Sequence, residues 1–385
     1  MSSHADFQNE IYLHGVADVR PVLPTDLTRL ERLAREHLSS EAYGYVAGSA
    51  GTGATARANR AAFDRWRIVP RMLRDVSAPD LSVRVLGTEL PVPVLLGPIG
   101  VLSILHPEGE LAVARAASAL DVPMVLSTAA SHTIEQVAEA GGDGPRWFQL
   151  YWPKDRALAA SFLKRAKAAG YTALVVTLDT MTLGWRPHDL DQGYLPFLRG
   201  IGVANYFSDP MFQKGVGGPI ETNRDAAIMH WAANFSDPTL TWEDLAFVRE
   251  HWDGPIALKG IQHPDDARRA VDAGMDGVIV SNHGGRQVDG AIASLDALPE
   301  IAAAVGDQTT VLFDSGVRTG ADVVKALALG ARAVLLARPY AYGLGLAGEA
   351  GVRHVLRCLM ADLHLTMTLA GVTRPADLGR DALAG

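Results

Sequence analysis

The chain has 385 residues, of which 48% are apolar and 20% charged, and its formal net charge at pH 7 is −8. This composition allows a large hydrophobic core and excludes an intrinsically disordered chain. The acidic balance argues against nucleic acid as the main partner, and a single cysteine, Cys358, excludes an internal disulfide.

The first residues carry no targeting pattern. A secretory signal needs an apolar stretch, and none occurs in residues 1–15, MSSHADFQNEIYLHG. A run of about 18 apolar residues, which a membrane-spanning helix needs, does not occur anywhere in the sequence. We therefore expect a cytoplasmic protein without a membrane span.

Residues 1–90 precede the first predicted strand of the main fold. They contain helical patterns, such as TDLTRLERLAREHL at residues 25–38. We therefore predict that this region forms an N-terminal helical extension.

Eight short apolar segments follow, and each is apolar at both alternating positions. Such segments are typical of strands that are covered on both faces in a parallel sheet. They are residues 91–97, 122–128, 146–151, 173–179, 255–260, 277–282, 310–316 and 333–339.

Helical patterns fill the intervals between these segments. In HPDDARRAVDAG, Pro264 suits the first helical position and Gly274 ends the helix; TGADVVKALALG repeats this design and ends at Gly330. Eight strands joined by helical crossovers predict a (β/α)8 TIM barrel, with residues 1–385 forming one domain. An open doubly wound sheet is the alternative, and the lack of an early GxGxxG turn disfavours it.

Residues 180–254 separate the fourth and fifth strands by far more than the roughly 30 residues of a βα unit. We predict a lid or binding loop inserted into a barrel that spans residues 91–340; an oligomer contact is the alternative. C-terminal helices are expected over residues 341–385. The aromatic residues of the insertion include Trp185, Tyr194, Phe197, Tyr206, Phe207, Phe212 and Trp231.

Polar residues or glycines stand at nearly every predicted strand end. In barrel enzymes these ends and the loops after them form the face that carries the chemistry. Packing alone does not explain the pattern, because Lys, His and Arg are costly to desolvate without partners. The residues at these strand ends, in chain order, are Gly97, Pro98, Ile99, Gly100, Ser127, Thr128, Gln149, Tyr151, Thr177, Asp179, Lys259, His283, Arg286, Asp314, Arg318 and Arg338.

The basic residues on this rim indicate an anionic ligand with more than one negative group. The loops after strands seven and eight are the usual phosphate site of such barrels, and here they contain Gly316, Arg318 and Arg338. We predict that a phosphate group binds there.

The loop after strand six combines a base with a cation. His283 can accept a proton near neutral pH, and Arg286 can hold a carboxylate. Asp179 can orient the imidazole, and Gly284-Gly285 permit a tight turn. These residues leave open an aldolase or isomerase with Lys259 as a Schiff-base nucleophile, and a non-catalytic binding barrel. No pair of histidines has a convincing metal-ligand spacing, so we predict no metal site.

The motif SNHGGRQ, residues 281–287, resembles the signature of the FMN-dependent α-hydroxy acid oxidases and dehydrogenases. The segments GYVAGSAG, HPEGE, FQLY, LKGI and DSGVRTGADVVKALALGARAV also have counterparts in that family. The resemblance covers most of the chain and implies FMN as cofactor and a small 2-hydroxy acid as substrate.

The resemblance also implies residue roles. His283 would take the hydroxyl proton of the substrate with Asp179 as partner, and Arg186 and Arg286 would hold its carboxylate. Lys259 would stabilise the reduced, anionic flavin. Tyr45 and Tyr151 match the active-site tyrosines. The FMN contacts would be Pro98, Ile99, Gly100, Ser127, Gln149, Thr177, Lys259, Ser281, Asp314, Gly316, Arg318, Ala337 and Arg338.

The sequence departs from the family pattern at three places. Residues 51–53, Gly-Thr-Gly, stand where members commonly have acidic residues, which leaves the conformation of that loop open. Ala337 stands where many members have glycine, and a positive φ there would be strained. Ala129 replaces a larger residue, so we predict a wider pocket and substrates larger than lactate.

The segments NEIY, GWRP, PFLRG and TWEDL, together with Gly100, resemble the lactate 2-monooxygenase branch. This likeness implies that O2 is the electron acceptor and that the oxo acid is retained and decarboxylated in place. Release of the oxo acid and H2O2 is the alternative. The family likeness also implies a homo-oligomer, either a tetramer or an octamer.

Overall fold

The computed structural model describes residues 3–385, and its centre is a closed barrel of eight parallel strands. The barrel strands β1 to β8 are Val94–Leu96, Met124–Ser127, Arg146–Leu150, Leu174–Thr177, Ile256–Ile261, Gly277–Val280, Thr310–Phe313 and Ala333–Leu336. Each strand pairs with its neighbours in sequence, and β8 closes on β1. The predicted (β/α)8 barrel is therefore confirmed, and the doubly wound sheet is wrong.

The interior of the barrel is filled by side chains. Along each strand, every second residue points into the barrel and the residues between them pack against the surrounding helices. This explains why the strands are apolar at both alternating positions. A hairpin of strands Val83–Val85 and Thr88–Leu90 joins the inner cluster. The inner strand residues include Leu95, Val125, Trp147, Val175, Ile279 and Leu312.

Helices surround the barrel and follow the strands. They are Gly109–Ser118, Ile134–Gly141, Arg156–Ala168, Leu245–His251, Pro264–Asp272, Ser294–Val305, Gly320–Ala328 and Arg338–Leu369. Pro264 begins its helix as predicted, and Gly274 and Gly330 follow their helices with positive φ. The last helix is interrupted at Ala347 and Gly348, where the backbone leaves helical geometry.

The N-terminal region contains the helices Asp6–Gly15, Leu30–His37, Ser40–Ala47 and Ala54–Asp64. It is not purely helical, because it also includes the hairpin and a strand, Arg67–Ile68, that pairs with Leu383–Ala384 near the end of the chain. No helix within residues 3–385 is long and apolar enough to cross a membrane.

The insertion after β4 folds into short helices around an aromatic cluster. Phe197 stacks on Trp231 with ring centroids 4.7 Å apart, and Trp231 lies 4.8 Å from Phe235. This cluster places part of the insertion over the carboxyl ends of the barrel strands. Its helices are Pro187–Asp191, Ala204–Phe207, Pro210–Val216 and Arg224–Asn234, with 3-10 turns at Pro196–Arg199 and Trp242–Asp244.

Candidate active site

A cavity of about 1030 Å³, counting the solvent space at its open mouth, lies at the carboxyl ends of the strands. It brings together most of the side chains that were predicted from strand ends. The predicted residues on its wall are Tyr45, Pro98, Ile99, Gly100, Tyr151, Arg186, Lys259, His283, Arg286, Asp314, Gly316, Arg318, Ala337 and Arg338. Five others are not among the lining residues: Ser127, Gln149, Thr177 and Ser281 are buried within the barrel top, and Asp179 contacts His283 from an adjacent pocket.

The imidazole of His283 is turned into the cavity by an unusual backbone. His283, Gly284 and Gly285 all have positive φ, at 57°, 66° and 76°. Glycine adopts this conformation freely, whereas at a residue with a side chain it is uncommon and often occurs at functional sites. The His283 Nδ1 atom lies 2.8 Å from Asp179 Oδ1, and its Nε2 atom lies 3.5 Å from the Tyr151 hydroxyl.

Charge and burial make His283 a base. Burial lowers the pKa of His283, and Asp179 only partly offsets this effect. Burial alone would raise the pKa of Asp179, but His283 and Lys259 outweigh it and hold that pKa at about 2. Near neutral pH an ionised Asp179 therefore keeps the proton on Nδ1 of a neutral His283, and Nε2 is left to accept a proton.

The two arginines predicted to bind a carboxylate are held by uncharged oxygens. Arg286 Nη1 donates to the carbonyls of Tyr45 at 2.5 Å and Gly48 at 2.9 Å. Arg186 Nε donates to the Arg286 carbonyl at 3.0 Å. Burial and then Arg286 lower the pKa of Arg186 to about 10, so it stays charged at neutral pH. Both charges are therefore available to an anionic substrate.

Lys259 supplies a fixed positive charge to the cavity. Its Nζ atom lies 3.1 Å from Asp314 Oδ2 and donates to Ser281 Oγ at 2.9 Å. Burial alone would lower the pKa of Lys259, but Asp314 and Asp179 outweigh it and the pKa is raised. A Schiff-base lysine needs a lowered pKa, so this environment argues against the aldolase alternative.

The predicted phosphate site lies where the loops after β7 and β8 meet. Gly316 has a φ of 106°, and the backbone N–H of Arg318 donates to Asp322 at 2.8 Å. The Arg338 guanidinium donates to three backbone carbonyls, those of Val46, Gly48 and Gly284. Both arginines line the cavity, where an anion can be bound.

Ala337 has a φ of −128°. The backbone at Ala337 therefore does not have a positive φ, and the strain that a positive φ would cause at alanine is absent.

The loop at residues 51–53 is organised by a carboxylate that the sequence analysis missed. Asp289, in the loop after β6, accepts from the backbone N–H groups of Thr52 at 2.6 Å and Ala54 at 2.7 Å. Hydrogen bonds from Thr52 and neighbouring backbone N–H groups lower the pKa of Asp289 to about 2. An acidic residue from a distant part of the chain thus orders this loop, and no sequence pattern marks it.

Two polar groups beneath the cavity lack partners. Gln149 Nε2 and Thr177 Oγ1 are buried and make no hydrogen bond within residues 3–385. The Gln149 Oε1 atom is occupied, because it accepts from Ser127 Oγ at 2.8 Å. Buried polar groups are normally paired, so these two atoms indicate a polar ligand edge at the top of the barrel.

The protein is a closed α/β barrel, and its cavity contains a buried base, two arginines and an anion site at β7 and β8. These features are typical of an enzyme that holds a phosphorylated group beside an anionic substrate. Similarity to known proteins identifies the family. The sequence model of the protein family named FMN-dependent dehydrogenase matches residues 34–385. An FMN-dependent α-hydroxy acid dehydrogenase of Penicillium citrinum is 54% identical over 381 residues, covering 98% of this chain and 95% of the relative.

An L-lactate oxidase of Lysinibacillus sphaericus is 42% identical over 350 residues, covering 91% of this chain and 90% of the relative. The crystal structure of a mandelate oxidase with (S)-4-hydroxymandelic acid has a TM-score of 0.84 and 40% identity, covering 94% of this chain and 98% of that one. This chain belongs to the family of FMN-dependent α-hydroxy acid oxidases and dehydrogenases.

The protein is thus an FMN-dependent oxidoreductase, and its residues fit the cofactor. The unpaired Gln149 and Thr177 atoms suit the polar edge of a flavin ring, and Arg318 and Arg338 suit its phosphate. Within residues 3–385, no group of three or more His, Cys, Asp or Glu side chains is placed to hold a metal ion.

Proposed function

We propose that this protein oxidises an L-2-hydroxy acid with a bulky apolar side chain to the 2-oxo acid, and that O2 accepts the electrons. The observation that carries this proposal is that His283, which Asp179 contacts at 2.8 Å, shares one cavity with Arg186 and Arg286. FMN supplies the two-electron acceptor when it is bound.

Each side chain has a defined part in the reaction. Arg186 and Arg286 hold the substrate carboxylate, which orients the hydroxyl group toward His283. The Nε2 atom of His283 accepts the hydroxyl proton, and Asp179 stabilises the imidazolium that forms. Lys259 keeps a positive charge in the cavity, where it would favour negative charge on a bound, reduced flavin.

The apolar side of the cavity supports a substrate larger than lactate. Its wall includes Ile99, Ala129, Leu183, Phe197 and Phe235. The methyl group of Ala129 leaves space there, and the rings of Phe197 and Phe235, 5.6 Å apart, offer an aromatic surface. The mandelate oxidase of similar structure binds (S)-4-hydroxymandelic acid, an acid of this type.

Oxidative decarboxylation in place is a second candidate, in line with the likeness to lactate 2-monooxygenase. The burial of the carboxylate-binding site favours it, because Arg186 is only 7% exposed. The oxo acid keeps the carboxylate that the arginines bind, so it can stay in the cavity. Retention would convert the hydroxy acid and O2 into a shorter acid, CO2 and water.

A product assay tests both candidates. Purified protein is assayed in air with L-mandelate, L-2-hydroxybutyrate, L-lactate and glycolate, and oxo acid, H2O2, CO2 and shorter acid are measured. We expect the highest kcat/KM with the bulkier acids, and oxo acid and H2O2 in equal amounts. Benzoate and CO2 that still form from mandelate when catalase is present would establish the second candidate, because catalase removes the H2O2 that would decarboxylate released oxo acid in solution. A clear preference for glycolate would contradict the bulky substrate.

A further inference from the structure

Gln287 follows Arg286 in the loop after β6, and its side-chain amide makes four hydrogen bonds. The Nε2 atom donates to the carbonyls of Asp179 at 2.6 Å and Thr182 at 2.9 Å. The Oε1 atom accepts from Arg186 Nη2 at 2.7 Å and from the Gly184 N–H at 3.4 Å. Exchanging the two amide atoms would set oxygen against two carbonyls and nitrogen against two donors, so only this orientation is satisfied.

These bonds connect the base and the carboxylate clamp. The segment of residues 179–186 begins at the partner of His283 and ends at Arg186, and Gln287 binds it at both ends. The segment lies directly on the loop after β6: a Cβ atom on Gly184 would be 2.5 Å from the Arg286 carbonyl. The segment and the loop therefore form one packed unit.

Because the side chain of Gln287 is an uncharged amide, it binds Arg186 without neutralising its positive charge. The two oxygens that Arg186 contacts, the Arg286 carbonyl and Gln287 Oε1, are both uncharged. Asp189 acts on this guanidinium only from a distance and forms no ion pair with it within residues 3–385. A carboxylate at position 287 could fill similar space but would neutralise the buried cation.

We propose that Gln287 is a positioning residue that aims Arg186 at the substrate carboxylate while leaving its charge uncompensated, and that links it to Asp179. This inference rests on the proposed role of Arg186 in substrate binding. Binding of the substrate carboxylate then depends on two properties of Gln287, its hydrogen bonds and the absence of charge on its side chain.

Two substitutions separate these two properties. Gln287→Glu keeps the shape, loses both donated bonds and places a negative charge beside Arg186. Gln287→Met keeps neutrality and loses all four hydrogen bonds. The ligands are phenylacetate and phenylacetamide, which differ in charge and lack the oxidisable hydroxyl, and binding to the FMN-loaded protein is followed by flavin absorbance.

We expect Gln287→Glu to weaken phenylacetate binding about 10- to 100-fold, the range for a charge-assisted contact, and phenylacetamide binding less than about threefold. Gln287→Met should reduce the preference for the acid over the amide less than Gln287→Glu does. It should also lower kcat for L-mandelate, since Arg186 and Asp179 lose their common support.

Equal losses for both ligands in Gln287→Glu, or unchanged phenylacetate affinity, would overturn the inference. If Gln287→Glu does not retain FMN, Gln287→Met decides alone: wild-type kcat and KM in that variant contradict the positioning role. A wild-type protein that binds the acid and the amide equally well would instead contradict the proposed role of Arg186, so the two failures are distinguishable.

Discussion

The Nδ1 atom of His283 lies 2.8 Å from Asp179 Oδ1, although 104 positions separate the two residues in the chain. Asp179 follows β4 and His283 follows β6, with the strand that carries Lys259 between them. Lys259 acts on both, lowering the pKa of each. The pair is therefore poised as a neutral imidazole beside an ionised carboxylate.

The pH dependence of kcat/KM should report this pair. Burial lowers the pKa of His283, so we expect the acidic limb of the wild-type profile below the ordinary value of 6.5. Asp179→Asn removes the partner that raises this pKa, so the limb should move to lower pH and the maximum should fall about 10²- to 10⁴-fold. A limb that moves to higher pH in this variant would contradict the assignment, as would His283→Ala with a wild-type rate.

Replacement of Lys259 by Met should slow anaerobic flavin reduction by L-mandelate about 10²- to 10³-fold, because a preorganised positive charge is lost. The variant also leaves Asp314 without its cation, which should lower the unfolding temperature. The double variant Lys259→Met/Asp314→Asn is the control. It should recover stability but not rate, and recovery of the rate would show that Lys259 has only a structural part.

The size of residue 129 should decide which acids are accepted. Ala129→Leu adds bulk to a wall residue that is 2% exposed, so kcat/KM for L-mandelate should fall about 10- to 200-fold. The same substitution should change kcat/KM for L-lactate by less than about threefold, which makes lactate the internal control. Equal losses for both acids would indicate general damage to the site and not a steric selection.

Asp289 should stabilise the fold in a pH-dependent way. Its pKa in the folded chain, about 2, lies below the ordinary value of 3.8, so its contribution is complete above pH 3.8 and is lost as pH falls toward 2. Asp289→Asn should therefore lower the unfolding temperature by a constant amount at pH 5 to 8, and by less as pH falls below about 4. A difference that grows on acidification would contradict this account.

Much of the fold and many of the site residues were accessible from sequence patterns. Strands apolar at both alternating positions, followed by polar strand ends, predict a barrel with its chemistry at one face, because burial and strand ends are local properties. The SNHGGRQ motif predicted that His283 and Arg286 are site residues. The lining residues Leu183 and Phe235 were missed, because a pocket wall depends on how the long insertion folds back.

By itself, the sequence determined the barrel, its order of strands, the residues at its rim and the resemblance to an FMN-dependent family. Only the tertiary structure decided that Asp289 orders the distant loop at residues 51–53 and that His283 has a positive φ. It also decided that Gln287 joins Arg186 to Asp179. The physical reason is that these features depend on hydrogen bonds and close contacts between segments far apart in the chain, which no local pattern of residues encodes.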